Sequence, residues 1–341
     1  MTWSINLNPG EHAVTAQNSE TVLEAALREG FIIPHGCRSG ACGSCKGQIL
    51  EGLVDFGPYQ SSALTEEEKS EGYALLCCAK PLSNLNVQCQ ELRKSNGVEI
   101  KTLPARVQSL KRLADDVMIM SLKLPAGEAF AFEPGQYIDI LLKEGMHRSF
   151  SLANTPSNSE FLELHIRGVA GGLFTSQVFN EMKEKAILRI RGPLGTFHFH
   201  EENNKPVIFM AGGTGFAPIK SIIESNLSRR INHEMVLYWG TRSLKDLYMP
   251  HLPSAWQTEN PNFTFIPVLS QPQPSDSWHG RIGYVHQAII DDFSDLSRYQ
   301  VYACGSPEMI DTGRTAFISQ GLNPEEYYTD SFIYQSNPVA V

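Results

Sequence analysis

Apolar and polar positions alternate at Trp3, Ile5 and Leu7, break at the Asn8-Pro9-Gly10 turn, and resume in a short run over residues 12–15. A period of two on both sides of a turn predicts a hairpin. Over residues 21–29 the spacing changes to that of a helix: Val22, Leu23, Ala26 and Leu27 share a face, Ser19 or Glu20 precedes it, and Gly30 supplies the stop. This start predicts a small α+β domain over residues 1–93. Short strand-like runs then recur at 105–110, 117–124, 136–142, 161–168 and 187–192, separated by Gly and Pro, and predict an antiparallel β-barrel or sandwich over residues 102–200. Over residues 205–332 apolar runs at 207–210, 235–239, 263–269 and 300–303 alternate with helix-like stretches, the pattern of an α/β domain with a parallel sheet. The polar stretches 93–101 and 201–206 read as linkers, so the chain is expected to be multidomain.

The composition, 42% hydrophobic and 19% charged over 341 residues, is that of a globular chain. A net charge of −9 argues against a nucleic-acid partner. No apolar stretch approaches the roughly 18 residues of a spanning helix, and the N-terminus has no basic segment followed by an apolar run. A cytoplasmic protein without membrane insertion is expected. Seven cysteines without an export signal point to metal or redox chemistry rather than disulfides, and six of them fall within the first 89 residues.

Cys37, Cys42 and Cys45 form C-x4-C-x2-C, with Cys77 as a distant fourth. Three thiolates on one tight loop can wrap a small cluster that a fourth closes, and Gly36, Gly40 and Gly43 let backbone N–H groups turn toward sulfur. A zinc ribbon would use two C-x2-C pairs instead. The spacing matches plant-type [2Fe–2S] ferredoxins. The whole first segment, through LLCCAKP at 75–81, resembles that β-grasp family, with Cys37, Cys42, Cys45 and Cys77 as iron ligands. Cys78 and Cys89 read as small core residues.

In the second segment HRSFSLAN (147–154) contains an R-x-[FY]-S pattern, and a Gly171-Gly172 pair opens a helix-like segment with Thr175 in its first turn. An Arg suits a phosphate, an aromatic suits a flat ring, and a glycine-led helix start suits an anion. Together with the Gly-Pro turn at 192–193 these resemble the flavin domain of the ferredoxin–NADP reductase superfamily. The resemblance implies that Arg148 binds phosphate, Phe150 packs on the flavin, Ser151 faces its reactive nitrogen, and Gly171, Gly172 and Thr175 sit at the diphosphate of FAD, which is favoured over FMN.

The third segment opens with VIFMAGGTGFAP (207–218), a strand feeding Gly212, Gly213, Thr214 and Gly215 into a helix, as an α/β sheet receives a pyrophosphate. The same superfamily binds its nicotinamide dinucleotide at this turn, places a C-G motif like Cys304-Gly305 near the nicotinamide, and ends in an aromatic segment like YTDSF (328–332), whose Phe332 would shield the flavin. Ser151 and Cys304 are accordingly the candidate catalytic residues. After the second strand of this segment Arg242 favours a 2′-phosphate and Asp246 favours free ribose hydroxyls. The stretch through Asp246-Leu247-Tyr248 resembles NADH-using relatives, so NADH is expected over NADPH.

The order ferredoxin, flavin, nucleotide is similar to reductase components of multicomponent oxygenases and to CDP-6-deoxy-glucoseen reductases. It implies an NAD(P)H-dependent oxidoreductase that takes hydride onto FAD and passes single electrons through the [2Fe–2S] cluster to an electron-accepting protein, an oxygenase component first. A deoxysugar-synthesis acceptor and a non-turnover redox sensor are the alternatives. Through Leu92 eleven acidic side chains face five basic ones, which suggests a basic docking patch on the partner.

Overall fold

Trp3–Asn8 forms the strand its alternation predicts and pairs antiparallel with His12–Ala16, the two meeting at Leu7 and His12. Its other edge runs parallel to Leu85–Cys89, and Lys46–Glu51 and Tyr73–Leu75 complete a five-stranded mixed sheet. Helix Val22–Arg28 buries Val22, Leu23, Ala25 and Ala26. Its cap is Thr21, not Ser19 or Glu20, because Thr21 and Glu24 form a reciprocal capping box.

The computed structural model describes residues 2–332 apart from 11, 39, 41, 62, 95–98, 144, 145, 158, 159, 202 and 232. It divides into two compact units, Met1–Glu99 and Ile100–Val341. The expected linker at 93–101 is shorter than its composition suggests. Arg93–Lys94 pairs antiparallel with Phe31–Ile32, and Lys101 already begins the long strand Lys101–Ala114. Its centre, 95–98, lies outside the described residues, as do 333–341.

The second unit contains two six-stranded sheets. One is antiparallel throughout, in the order His147–Ser151, Tyr137–Leu141, Ile187–Leu194, Lys101–Ala114, Val117–Lys123 and Phe161–Arg167. A bridge between Leu152 and Leu164 ties the chain leaving one edge strand to the other edge strand. The second sheet is parallel throughout, in the order Arg281–Ile282, Phe263–Leu269, Met235–Thr241, Val207–Gly212, Gln300–Gly305 and Tyr327–Ser331. Val207 to Ala211 are fully buried, as expected of a central parallel strand covered on both faces. The strand order reverses at Val207–Gly212, and open parallel sheets bind ligands beyond the carboxyl ends of the strands at such a switch point. The stretch 201–206 is not a free linker either, since Asn203 and Lys205 both bond Glu326, each at 2.6 Å. Among the described residues no helix is long and apolar enough to cross a membrane.

Candidate active site and metal centre

The first unit collects its four predicted ligands around one loop. The Cys37 and Cys42 thiols lie within hydrogen-bonding reach of each other, and so do those of Cys45 and Cys77. Arg38, Gly40 and Gly43 all take positive φ, +54°, +74° and +74°, and the Gly40 backbone hydrogen-bonds the Cys77 sulfur. Cys37 N–H donates to Cys42 Sγ at 3.5 Å. The shared hydrogen bonds from Cys45 and then Cys78 pull the Cys77 thiol down to about 3, whereas Cys45 is pushed up by the same contact and by burial. Two pairs of sulfur donors with backbone N–H groups bonded to them fit a [2Fe–2S] cluster, which these four cysteines would hold. Cys89 is the plain core thiol expected, and burial raises it to about 11. Cys78 is likewise buried in the core, and its Sγ stands 3.6 Å from Cys77 Sγ.

In the second unit, strand His147–Ser151 places Arg148 opposite Ile140 and Phe150 opposite Ile138, so both side chains share one face. Phe150 packs 5.6 Å from Phe174 in helix Leu173–Asn180, whose first residue follows Gly172. Gly171, at φ +73°, makes the turn into that helix. The Thr175 hydroxyl donates to Val169 carbonyl oxygen at 3.3 Å and so holds the turn closed. Beneath the strand, buried Asp139 accepts from Arg191 at 2.9 Å and from Ser149 at 2.8 Å, an ion pair that composition alone does not reveal.

At the switch point the glycines answer to packing. A Cβ on Gly215 would stand 2.1 Å from the Cys304 carbonyl oxygen, and one on Gly305 would stand 3.2 Å from Gly212 Cα. Gly213 has φ +53°, accepts from Trp239 Nε1 at 2.9 Å, and lies over the Arg167 guanidinium. Thr214 is buried with it. Phe332 N–H donates to Gly305 carbonyl oxygen at 2.8 Å, which brings the last aromatic among the described residues to the same strand ends.

The two candidate catalytic residues are joined by a residue that sequence reasoning missed. Ser151 Oγ donates to Asp330 Oδ2 at 3.4 Å, and Cys304 Sγ lies 4.0 Å from that same oxygen. All three side chains are buried. Burial, and then the Asp330 charge, push the Cys304 thiol well above its ordinary range, so it stays protonated. Asp330 sits inside YTDSF, a segment whose aromatics drew attention; the available signal was a lone carboxylate in the last strand. Asp246 is half-buried, and its Oδ2 accepts from Ser243 N–H at 3.0 Å and Ser243 Oγ at 2.9 Å, while Arg242 is exposed.

A second buried group was also missed. His165 meets Tyr248 hydroxyl at 2.8 Å and Glu163 at 3.1 Å, and Lys220 contacts both Glu163 and Glu224. Burial lowers His165. Burial alone would raise Glu163, but His165 and Lys220 outweigh it and hold the carboxyl down to about 2.

Three family models match the chain: a 2Fe-2S iron-sulfur cluster binding domain over residues 5–82, an oxidoreductase FAD-binding domain over 104–199, and an oxidoreductase NAD-binding domain over 209–315. The CDP-6-deoxy-L-threo-D-glycero-4-hexulose-3-dehydrase reductase of Yersinia pestis is 37% identical over 98% of this chain and 99% of its own. Reductase component 1 of the terephthalate 1,2-dioxygenase of Comamonas sp is 33% identical over 97% and 98%. Among solved structures, the Amycolatopsis cytochrome P450 reductase GcoB superposes with a TM-score of 0.85 at 33% identity, covering 97% of this chain and 98% of its own.

Proposed function

Because the chain belongs to the reductases that join a 2Fe-2S iron–sulfur domain, an FAD-binding domain and an NAD-binding domain in one polypeptide, we propose that it carries electrons from NADH to an oxygenase component or a similar protein acceptor. It is an NAD(P)H-dependent electron-transfer oxidoreductase. Its domains are taken as 1–93, 102–200 and 205–332. The first reads as a β-grasp, from the parallel pairing of Trp3–Asn8 with Leu85–Cys89, and the second reads as a barrel closed at Leu152 and Leu164.

When bound, FAD accepts two electrons as hydride and gives them up singly, and the cluster carries one at a time. The protein's part is to hold, orient and shield. Arg148 and the Gly171-Gly172-Thr175 turn are assigned to the flavin phosphates, Phe150 and Phe332 to its ring faces, and Ser151 to its reactive nitrogen. Gly212, Gly213, Thr214 and Gly215 are assigned to the nicotinamide dinucleotide, with Cys304 beside its ring; Cys37, Cys42, Cys45 and Cys77 bind the irons. The observation that carries this reading is Asp330, which bonds Ser151 of the flavin strand and approaches Cys304 of the nucleotide sheet through one oxygen. A buried carboxylate shared by the two strands supports the reading that the flavin and nicotinamide sides of a hydride transfer meet there.

NADH is preferred in this reading because Asp246, fixed by Ser243, carries its negative charge on the loop where a 2′-phosphate would lie. Anaerobic stopped-flow mixing with each nucleotide is the test. Flavin bleaching should precede cluster bleaching and be at least tenfold faster with NADH; cluster reduction ahead of the flavin would defeat the reading.

The 37% identity to CDP-hexulose dehydrase reductases, against 33% to the terephthalate reductase, favours a second reading in which the acceptor is a deoxysugar dehydrase. Cross-assay with a purified CDP-6-deoxyhexulose dehydrase and with an oxygenase component separates the two.

A further inference from the structure

Residues 75–79 form a turn that is helical in character. Cys78 and Ala79 N–H both donate to Leu75 carbonyl oxygen at 2.9 Å. In an extended strand adjacent side chains point to opposite faces, whereas in a helical turn they diverge by only about 100°. Cys77 and Cys78 therefore face the same cradle, with their sulfurs 3.6 Å apart. Two thiolates bound to one tetrahedral metal at about 2.3 Å stand about 3.7 Å from each other, so the Cys78 sulfur is within one ligand-to-ligand step of the position Cys77 occupies. The Cys78 sulfur also lies against the loop between Cys37 and Cys42, since a Cβ on Gly40 would be 2.9 Å from it. The turn itself is pinned from outside: Val22 N–H donates to Ala79 carbonyl oxygen and Leu23 N–H to Leu76 carbonyl oxygen, both at 2.9 Å.

We infer that Cys78 is a standby iron ligand, able to replace Cys77 at the [2Fe–2S] cluster by a side-chain rotation on a fixed backbone. The inference rests on the reading that Cys37, Cys42, Cys45 and Cys77 hold the cluster. The exchange is a ligand substitution without electron transfer. One iron–sulfur bond to Cys77 breaks as one to Cys78 forms, and the Cys78 proton passes to the released Cys77 sulfur. Cys37, Cys42 and Cys45 keep their positions throughout. The exchange gives the fourth ligand position, the one outside the loop, a redundancy that its sequence motif does not announce.

The test uses full-length protein and counts iron and acid-labile sulfide per chain, with flavin content and far-ultraviolet circular dichroism as folding controls. Cys77→Ala should keep at least half the wild-type iron and sulfide, and Cys77→Ala/Cys78→Ala should keep less than one-tenth. A folded Cys77→Ala protein as iron-poor as the double variant would overturn the inference. Cys42→Ala tests the ligand assignment separately: an unchanged cluster there would remove the assignment itself, whereas its loss together with loss in Cys77→Ala would sink only the standby role. Should Cys77→Ala fail to accumulate, Cys77→Ser keeps the side-chain volume. Its visible and EPR spectra should be those of four thiolates, and should change to those of an oxygen-ligated cluster, or vanish, once Cys78→Ala is added. Identical oxygen-ligated spectra with and without Cys78 would equally overturn it.

Discussion

The cysteine cradle and the Ser151, Cys304 and Asp330 group proposed as the hydride site are built in opposite ways. Three of the four cradle ligands sit on nine consecutive positions, 37–45, shaped by backbone conformation at Arg38, Gly40 and Gly43. The second group draws Ser151 from an antiparallel strand, Cys304 from a parallel strand and Asp330 from the strand beside it, and it exists only once both sheets have formed. A local site stands or falls with any single ligand that no neighbour can replace, while an assembled site shares its geometry among many contacts and loses function by degrees.

The largest effect is therefore expected in the cradle. Cys42→Ala leaves its iron without a fourth sulfur and has no adjacent cysteine to compensate. Iron and sulfide should fall more than tenfold, and NADH-driven reduction of cytochrome c, which draws on the cluster, should fall at least tenfold. Ferricyanide reduction, which flavin alone supports, should stay within twofold. Equal loss of both activities in a flavin-loaded protein would mean that the cluster is not downstream of the flavin.

What was legible in the sequence follows the same division. C-x4-C-x2-C, R-x-[FY]-S and the glycines at 212–215 are short enough to be read as strings, because each is confined to one turn or strand. Asp330, Asp139 and the His165 group are not, since a buried carboxylate or imidazole is marked by its partners and those lie up to 179 positions away. Cys78 is the buried core residue the sequence suggested, and the standby role proposed for it was not legible for a different reason. Its neighbour's spacing explained the motif fully, and nothing in the string reveals that the turn at 75–79 points two successive thiols the same way. The linker at 93–101 was overextended because polar composition does not distinguish a tether from a short exposed strand such as Arg93–Lys94.

Gly215→Ala should come next in size. Its new methyl would meet the Cys304 carbonyl oxygen at 2.1 Å, and both belong to backbone that cannot swing aside. Overpacking of this kind costs about 1–3 kcal/mol. Thermal unfolding should show it, and flavin reduction by NADH should slow by at least tenfold, because the nucleotide turn must move. Wild-type rates in a stable variant would show that this turn does not receive the dinucleotide.

Asp330→Asn is gentler, since the amide keeps the shape and one acceptor oxygen for Ser151. With flavin content unchanged, flavin reduction should slow by about three- to tenfold. Cys304 alkylation should rise only slightly, because burial outranks the Asp330 charge in keeping that thiol protonated. A rate equal to wild type would reduce Asp330 to a packing residue.

The smallest effect separates the sheets' shared packing from their chemistry. Burial lowers His165 below 6.5, so on acidification the unfolded chain takes up a proton that the folded chain refuses. The stabilisation is complete above pH 6.5 and is lost as pH falls below it, with a slope of up to about 1.4 kcal/mol per pH unit until the lowered folded value is reached. Glu163 has the same sign in a different window: held down to about 2 against an ordinary 4.5, it gives up its contribution only below pH 4.5. Between pH 6.5 and 4.5 the two do not overlap. The His165 contribution should therefore lower the Tm of the wild-type second unit across that interval, while Glu224, which burial raises, titrates in both proteins. In His165→Gln the baseline Tm should be lower, because Tyr248 and Glu163 lose a partner, but the drop over the same interval should be smaller. His286, also lowered by burial, titrates in both proteins and cancels from the difference. Parallel Tm curves for the two proteins would mean that His165 takes up its proton in the folded state as readily as in the unfolded one, and that the buried group does not resist acid in the way its surroundings require.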